Sequence, residues 1–118
     1  MSVARVNAFN NLLRDIVNIM ATKFPEDRDI EWYKSQIELS ASVSPRKTIT
    51  SFMQSVRPFL KYILHKDEQF FLCYVDSQES LQKLGLGKKW NQLEQQQKDA
   101  LWKNVQKMVV LGDKILAD

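Results

Sequence analysis

The chain has 118 residues, 44% hydrophobic and 26% charged, with 17 basic against 14 acidic side chains and a net charge of +3. Those proportions exclude a disordered chain and predict one ordinary globular domain, residues 1–118, able to bury a core without cross-links. Three Gly and three Pro are too few for a turn-rich all-β fold, and +3 is too mild to mark a nucleic-acid binder by itself.

A first helix is predicted from about Ser2 to Lys23. Val6, Phe9, Leu13, Ile16, Val17, Met20 and Phe24 share about 100° of arc, with Asn11, Arg14, Asp15 and Asn18 opposite. Phe24-Pro25 ends it, because the residue before a proline is pushed out of the helical region. Glu26, Asp27 and Asp29 then precede IEWYKSQIELSA, where acidic residues suit the positive end of a helix and either Asp could be the N-cap. Helix-start chemistry accounts for this acidic cluster better than a metal or general-acid site does. Ile30, Tyr33 and Ile37 give the second helix its inward stripe; Trp32 and Leu39 lie off it.

Ser44-Pro45 reads as an N-cap followed by proline at the first helical position, where its missing N–H is harmless. Ile49, Phe52, Met53, Val56, Leu60 and Ile63 then recur at helical spacing through Pro58, so a kink or tight break is expected there. On an unbroken helix Arg46, Arg57 and Lys61 would lie within about 60° of one another, beside that stripe. The basic excess is local to this region: residues 44–75 carry five basic and two acidic residues.

QFFLCYV has strand-like composition, but no second strand exists to pair with it. It is read as a short helix capped by Asp67, burying an inert Cys73. Residues 76–93 are expected to form short helical turns around a loop. Gly85-Leu86-Gly87-Lys88 fails as a phosphate loop, since Gln82 stands where the first glycine belongs and Lys89 where Ser or Thr belongs. A helix C-cap at Gly85 or Gly87 is the plainer expectation. The last helix, about Glu94 to Leu116, turns Leu101, Trp102, Val105, Met108, Val109 and Leu116 one way. Gly112 on that face would admit a neighbouring backbone. Val110 and Leu111 fall off the stripe, as residues facing a partner would.

Catalytic equipment is sparse. One His and one Cys cannot assemble a usual zinc site, and His65 and Cys73 are separated by a polar break. No nucleophile elbow, dinucleotide fingerprint or calcium loop appears. The expectation is a protein that is not an enzyme and holds no cofactor or metal. Cys73 is alone, which suits a reducing compartment, and no apolar run approaches the roughly 20 residues that span a bilayer. A soluble, intracellular protein is expected. MSVARVNAFNN also lacks the apolar core of a signal peptide.

Interaction remains. Trp90, Val110 and Leu111, with Trp32 behind them, are the candidate partner-docking residues, because large aromatics not needed for a core anchor interfaces. The alternative is a nucleic-acid-binding edge made of Arg46, Lys47, Arg57 and Lys61, helped by Lys66 and by Lys88 and Lys89 near Trp90.

FPED (Phe24 to Asp27), SPRKTITSF (Ser44 to Phe52), KDEQFFL (Lys66 to Leu72) and the pair Trp90 and Trp102 followed by Lys103 form a recognisable series. In it the chain resembles short helical proteins of nucleocytoplasmic large DNA viruses, the algal and amoebal giant viruses. Ser44 replaces the Asn of that pattern, and Asn104 follows Lys103 where the pattern has Tyr. The resemblance implies a viral accessory or virion protein, in the host cytoplasm or nucleus or in the particle, and brings no catalytic residue. The fold expected is all-α, a compact irregular bundle of five to seven helices. The function expected is partner binding or self-association.

Overall fold

A computed structural model of the chain describes residues 3–77 and 85–117. Among these, α1 (Val3–Lys23), α2 (Arg28–Val43), α3 (Pro45–Val56), α4 (Leu60–Leu64), α5 (Glu68–Ser77), α6 (Leu86–Trp90) and α7 (Gln95–Ala117) account for nearly all of the backbone. No strand occurs among the described residues, so the all-α expectation holds. The expected start at Ser2 and residues 78–84 of the expected loop lie outside them.

Two long helices organise the rest. Val6 and Phe9 of α1 are buried with Met108, Val109 and Ile115 of α7, whereas Val17 and Met20 are buried with Leu101 and Trp102. The N-terminal half of one helix therefore meets the C-terminal half of the other, an antiparallel pair. Each end of the pair is closed by different elements. Ile49, Met53 and Val56 of α3 and Ile63 of α4 complete the first core cluster. Ile30 of α2, Trp90 of α6 and Leu93 complete the second. Ile16 and Phe71 pack against both, so the clusters form one continuous interior. The Cα radius of gyration is 13.7 Å, close to the roughly 13.5 Å expected of one compact domain of this length.

Local chemistry sets the joints. α1 stops at Lys23, before Phe24-Pro25, as the proline requires. Asp27 caps α2, accepting from the backbone N–H of Asp29 at 2.9 Å and of Ile30 at 3.2 Å. Ser44 does stand at the start of α3, but its side chain makes no capping bond; its carbonyl takes the N–H of Lys47 at 3.1 Å instead. Pro58 breaks the central helix into α3 and α4 through a 3-10 turn, Arg57–Phe59, and Phe59 leaves helical geometry at φ −118°. α4 closes with Lys66 in the left-handed region at φ 55°. The Asp67 N–H reaches Tyr62 O at 2.8 Å and the Lys66 N–H reaches Ile63 O at 3.2 Å, the paired bonds of a Schellman ending. QFFLCYV is helical, as expected, with the Phe70 N–H on Asp67 Oδ1 at 3.2 Å.

Three expectations need correcting. Cys73 is exposed, because the buried side of α5 carries Val75 with Phe71 and Leu72, and Cys73 falls on the other side. Gly87 lies inside α6 rather than at a C-cap, and its missing Cβ makes room for the Asp76 carboxylate. Gly112 is packed by a side chain, not a backbone: a Cβ there would lie 2.5 Å from Met53 Sδ.

Candidate interaction surfaces

Trp90, a leading docking candidate, is only 2% exposed. The single turn of α6 drives its ring into the second core cluster, edge-on to Trp102 at 6.0 Å, with Lys98 Nζ 5.7 Å from its centroid. It is a core residue and cannot anchor a partner. Lys89 beside it is also committed to the fold. Its ammonium meets Asp27 Oδ2 at 2.9 Å and lies 5.9 Å from the Phe24 ring, tying the α1–α2 turn to α6. The Lys89 bond, reinforced by the N–H groups of Ile30 and Asp29, holds the Asp27 carboxyl below its ordinary value against the opposing pull of burial.

Trp32 is 52% exposed, resting edge-on against Tyr33 at 5.1 Å between centroids. Burial, and secondarily the nearby Asp29 charge, raises the Tyr33 phenol above its ordinary value. Leu39 and Val43 on the same helix are 58% and 72% exposed. Successive spacings of seven and four residues put these three side chains on one line along α2, within about 40° of arc and running about 16 Å. Their line is roughly 140° from the inward stripe of Ile30, Tyr33 and Ile37, so α2 has two apolar faces and the fold covers one. Ser35, Gln36, Ser40 and Ser42 flank the middle and C-terminal part of the exposed line without charge, while Arg28 and Asp29 lie beside its Trp32 end. Beside its C-terminal end a groove of ≈ 510 Å³ opens between α2 and α3, lined by Leu39, Val43, Lys47, Thr48 and Ser51 among others. Leu39 was visible in the sequence only as a residue off the stripe. The seven-four spacing was the signal that would have joined it to Trp32 and Val43.

Val110 is 52% exposed, while Leu111 is half-buried and packs against the first core cluster. Both line a second groove of ≈ 540 Å³ with Leu12 of α1 and Lys103, Lys107 and Lys114 of α7. Gln106 fixes its edge, donating from Nε2 to Ile63 O at 3.1 Å and Leu64 O at 3.3 Å, the carbonyls that end α4. Val110 and Leu111 thus line one surface, Leu111 also packing against the core.

Arg46, Lys47, Arg57 and Lys61 are all exposed, and none forms an ion pair with a described residue. The single edge expected of them depended on an unbroken helix. Arg46 and Lys47 open α3, whereas Arg57 and Lys61 lie in or beyond the 3-10 turn, where helical phase is lost. Phe59, Tyr62, Phe70 and Tyr74 cluster near the latter pair. Their faces are occupied by each other: Tyr62 stacks on Phe70 at 3.7 Å and Phe59 lies 3.9 Å from Tyr74. Lys61 Nζ lies 5.0 Å from the Tyr62 centroid, and the Tyr74 hydroxyl donates to Ser55 O at 2.6 Å.

Among the described residues no group of three His, Cys, Asp or Glu side chains could hold a metal ion, and no helix is long and apolar enough to cross a membrane. No family model, curated protein sequence or solved structure matches the chain.

Proposed function

We propose that the protein is a non-catalytic interaction protein that pairs with a second copy of itself through the outer face of α2. The observation that carries this reading is the line of Trp32, Leu39 and Val43, left uncovered although the helix already has a buried face. Spacings of seven and four are the period at which two helices keep a seam in register. A two-fold contact sets the same surface against itself, so like charges would repel across it; here Ser35, Gln36, Ser40 and Ser42 are neutral and the charges at the Trp32 end, Arg28 and Asp29, are of opposite sign. In an antiparallel pairing each Trp32 meets the partner copy near Val43, beside the α2–α3 groove. The band is about 16 by 10 Å, far below the roughly 800 Å² per partner of a standard interface, so micromolar or weaker affinity is expected. The resemblance to short proteins of large DNA viruses supports an accessory or virion-associated setting, where high local concentration favours weak pairing.

Sedimentation equilibrium over a wide concentration range tests this directly. A monomer–dimer equilibrium is expected, abolished by Leu39→Glu with the helical circular dichroism unchanged. Trp90 and Trp102 are buried, so acrylamide quenching of tryptophan fluorescence reports mainly on Trp32 and should weaken as dimer forms. A monomer at every concentration, or a variant that pairs as before, removes the reading.

A second reading keeps one supporting observation: Arg46, Lys47, Arg57 and Lys61 are exposed and form no ion pair with a described carboxylate. Phosphate binding would show as affinity for generic DNA or RNA falling steeply with salt. Phe59, Tyr62, Phe70 and Tyr74 pack on one another, Tyr62 and Phe70 stacked and the other pairs tilted, which takes up part of the ring surface that bases would use.

A further inference from the structure

We infer that the α1–α7 groove is a docking site for an acidic amphipathic helix of a different protein. Lys103, Lys107, Val110 and Lys114 fall within about 60° of arc on α7, a basic row about 16 Å long with one valine set into it. Leu12 and Leu111 supply apolar floor beside that row. None of the described residues lining the groove is acidic, and none of the three lysines pairs with a described carboxylate. Lys103 and Lys107, four residues apart, repel each other and are mildly destabilising as they stand. Carboxylates from outside would convert that repulsion into attraction.

Each competing occupant fails on one of these features. A second copy in two-fold register would set lysine against lysine. A nucleic acid would use the lysines but gain nothing from covering Val110, Leu12 and Leu111. A helix of about three turns, with Leu or Ile on one face and Glu or Asp along both margins, uses both features, in the manner of helix-in-groove recognition.

The test uses the full chain and two labelled 14-residue helical peptides with the same leucine face, one flanked by Glu and the other by Lys, read by fluorescence anisotropy. The Glu peptide should bind, and at least tenfold more weakly in 500 mM than in 50 mM salt. The Lys peptide should not bind. Lys107→Glu should weaken the Glu peptide at least tenfold and admit the Lys peptide. Val110→Asp should weaken the Glu peptide to a similar extent without loss of helical dichroism. Equal binding of the two peptides, no binding of either, or indifference to both substitutions overturns the inference. So does a 14-nucleotide single strand that displaces the Glu peptide and itself binds Val110→Asp at full strength, which would reassign the lysines to phosphates. Repeating the titration with Leu39→Glu separates this groove from α2: loss of pairing there leaves peptide binding intact.

Discussion

Replacing Asp27 tests whether one side chain both starts α2 and locks it to α6. Two bonds to the backbone N–H groups of Asp29 and Ile30 make it the cap, and the 2.9 Å contact with Lys89 makes it the lock. Losing an Asp cap to Ala costs about 1 kcal/mol. The ion pair is more sheltered than a usual surface pair, its Lys89 and Asp27 side chains being 14% and 23% exposed, so it belongs at the upper end, about 1 kcal/mol. Asn caps as well as Asp but carries no charge. Asp27→Asn should therefore cost about 1 kcal/mol and Asp27→Ala about 2. With a urea dependence of roughly 1.5 kcal/mol per molar, those losses move the midpoint by about 0.7 and 1.3 M. In a Lys89→Met background, Asp27→Asn should lose most of its effect. The pH dependence follows from the depressed Asp27 carboxyl. The wild-type advantage over Asn is complete above the unfolded carboxyl value of about 4 and is lost as pH falls through the lower folded value. An Asn variant as stable as wild type would show that the pair contributes nothing. An Asn variant as unstable as Ala would show the same of the cap.

Three other substitutions or reagents test the joints and the packing. Lys66 adopts a left-handed conformation that costs an L-residue about 1–2 kcal/mol, so Lys66→Gly should raise stability by about 0.5–1 kcal/mol after its greater unfolded-state entropy is deducted. A loss of stability would mean that the Lys66 side chain supports the turn. Gly112→Ala should destabilise despite its better helix propensity, by about 1 kcal/mol, because buried Met53 has to move; adding Met53→Val should recover part of the loss in thermal melts. Cys73 should react with a thiol reagent in the native protein at nearly the rate of the unfolded chain, and strong protection would contradict its place on the outside of α5.

Much of the architecture was legible because it is local. The period of α1 and α7, the stop at Phe24-Pro25, an Asp cap before α2 (Asp27 of the two candidates), the break at Pro58 and the cap at Asp67 each follow from a few adjacent residues, and each is present. Backbone sterics and orphan N–H groups decide them without reference to the rest of the chain. Apart from the Ser44 side-chain cap and the C-cap at Gly87, what failed depended on a distant neighbour. Trp90 and Trp32 are indistinguishable as residues, yet one is buried because α6 turns it towards Trp102 and the other is exposed because α2 already has Ile30 and Ile37 inside. Pro58 divides the basic residues, Arg46 and Lys47 standing on α3 and Arg57 and Lys61 in or beyond the 3-10 turn, and Leu12 joined Val110 only because α1 and α7 run antiparallel. Periodicity says that a helix has an apolar face; which of two such faces meets solvent is settled by the helices that arrive beside it.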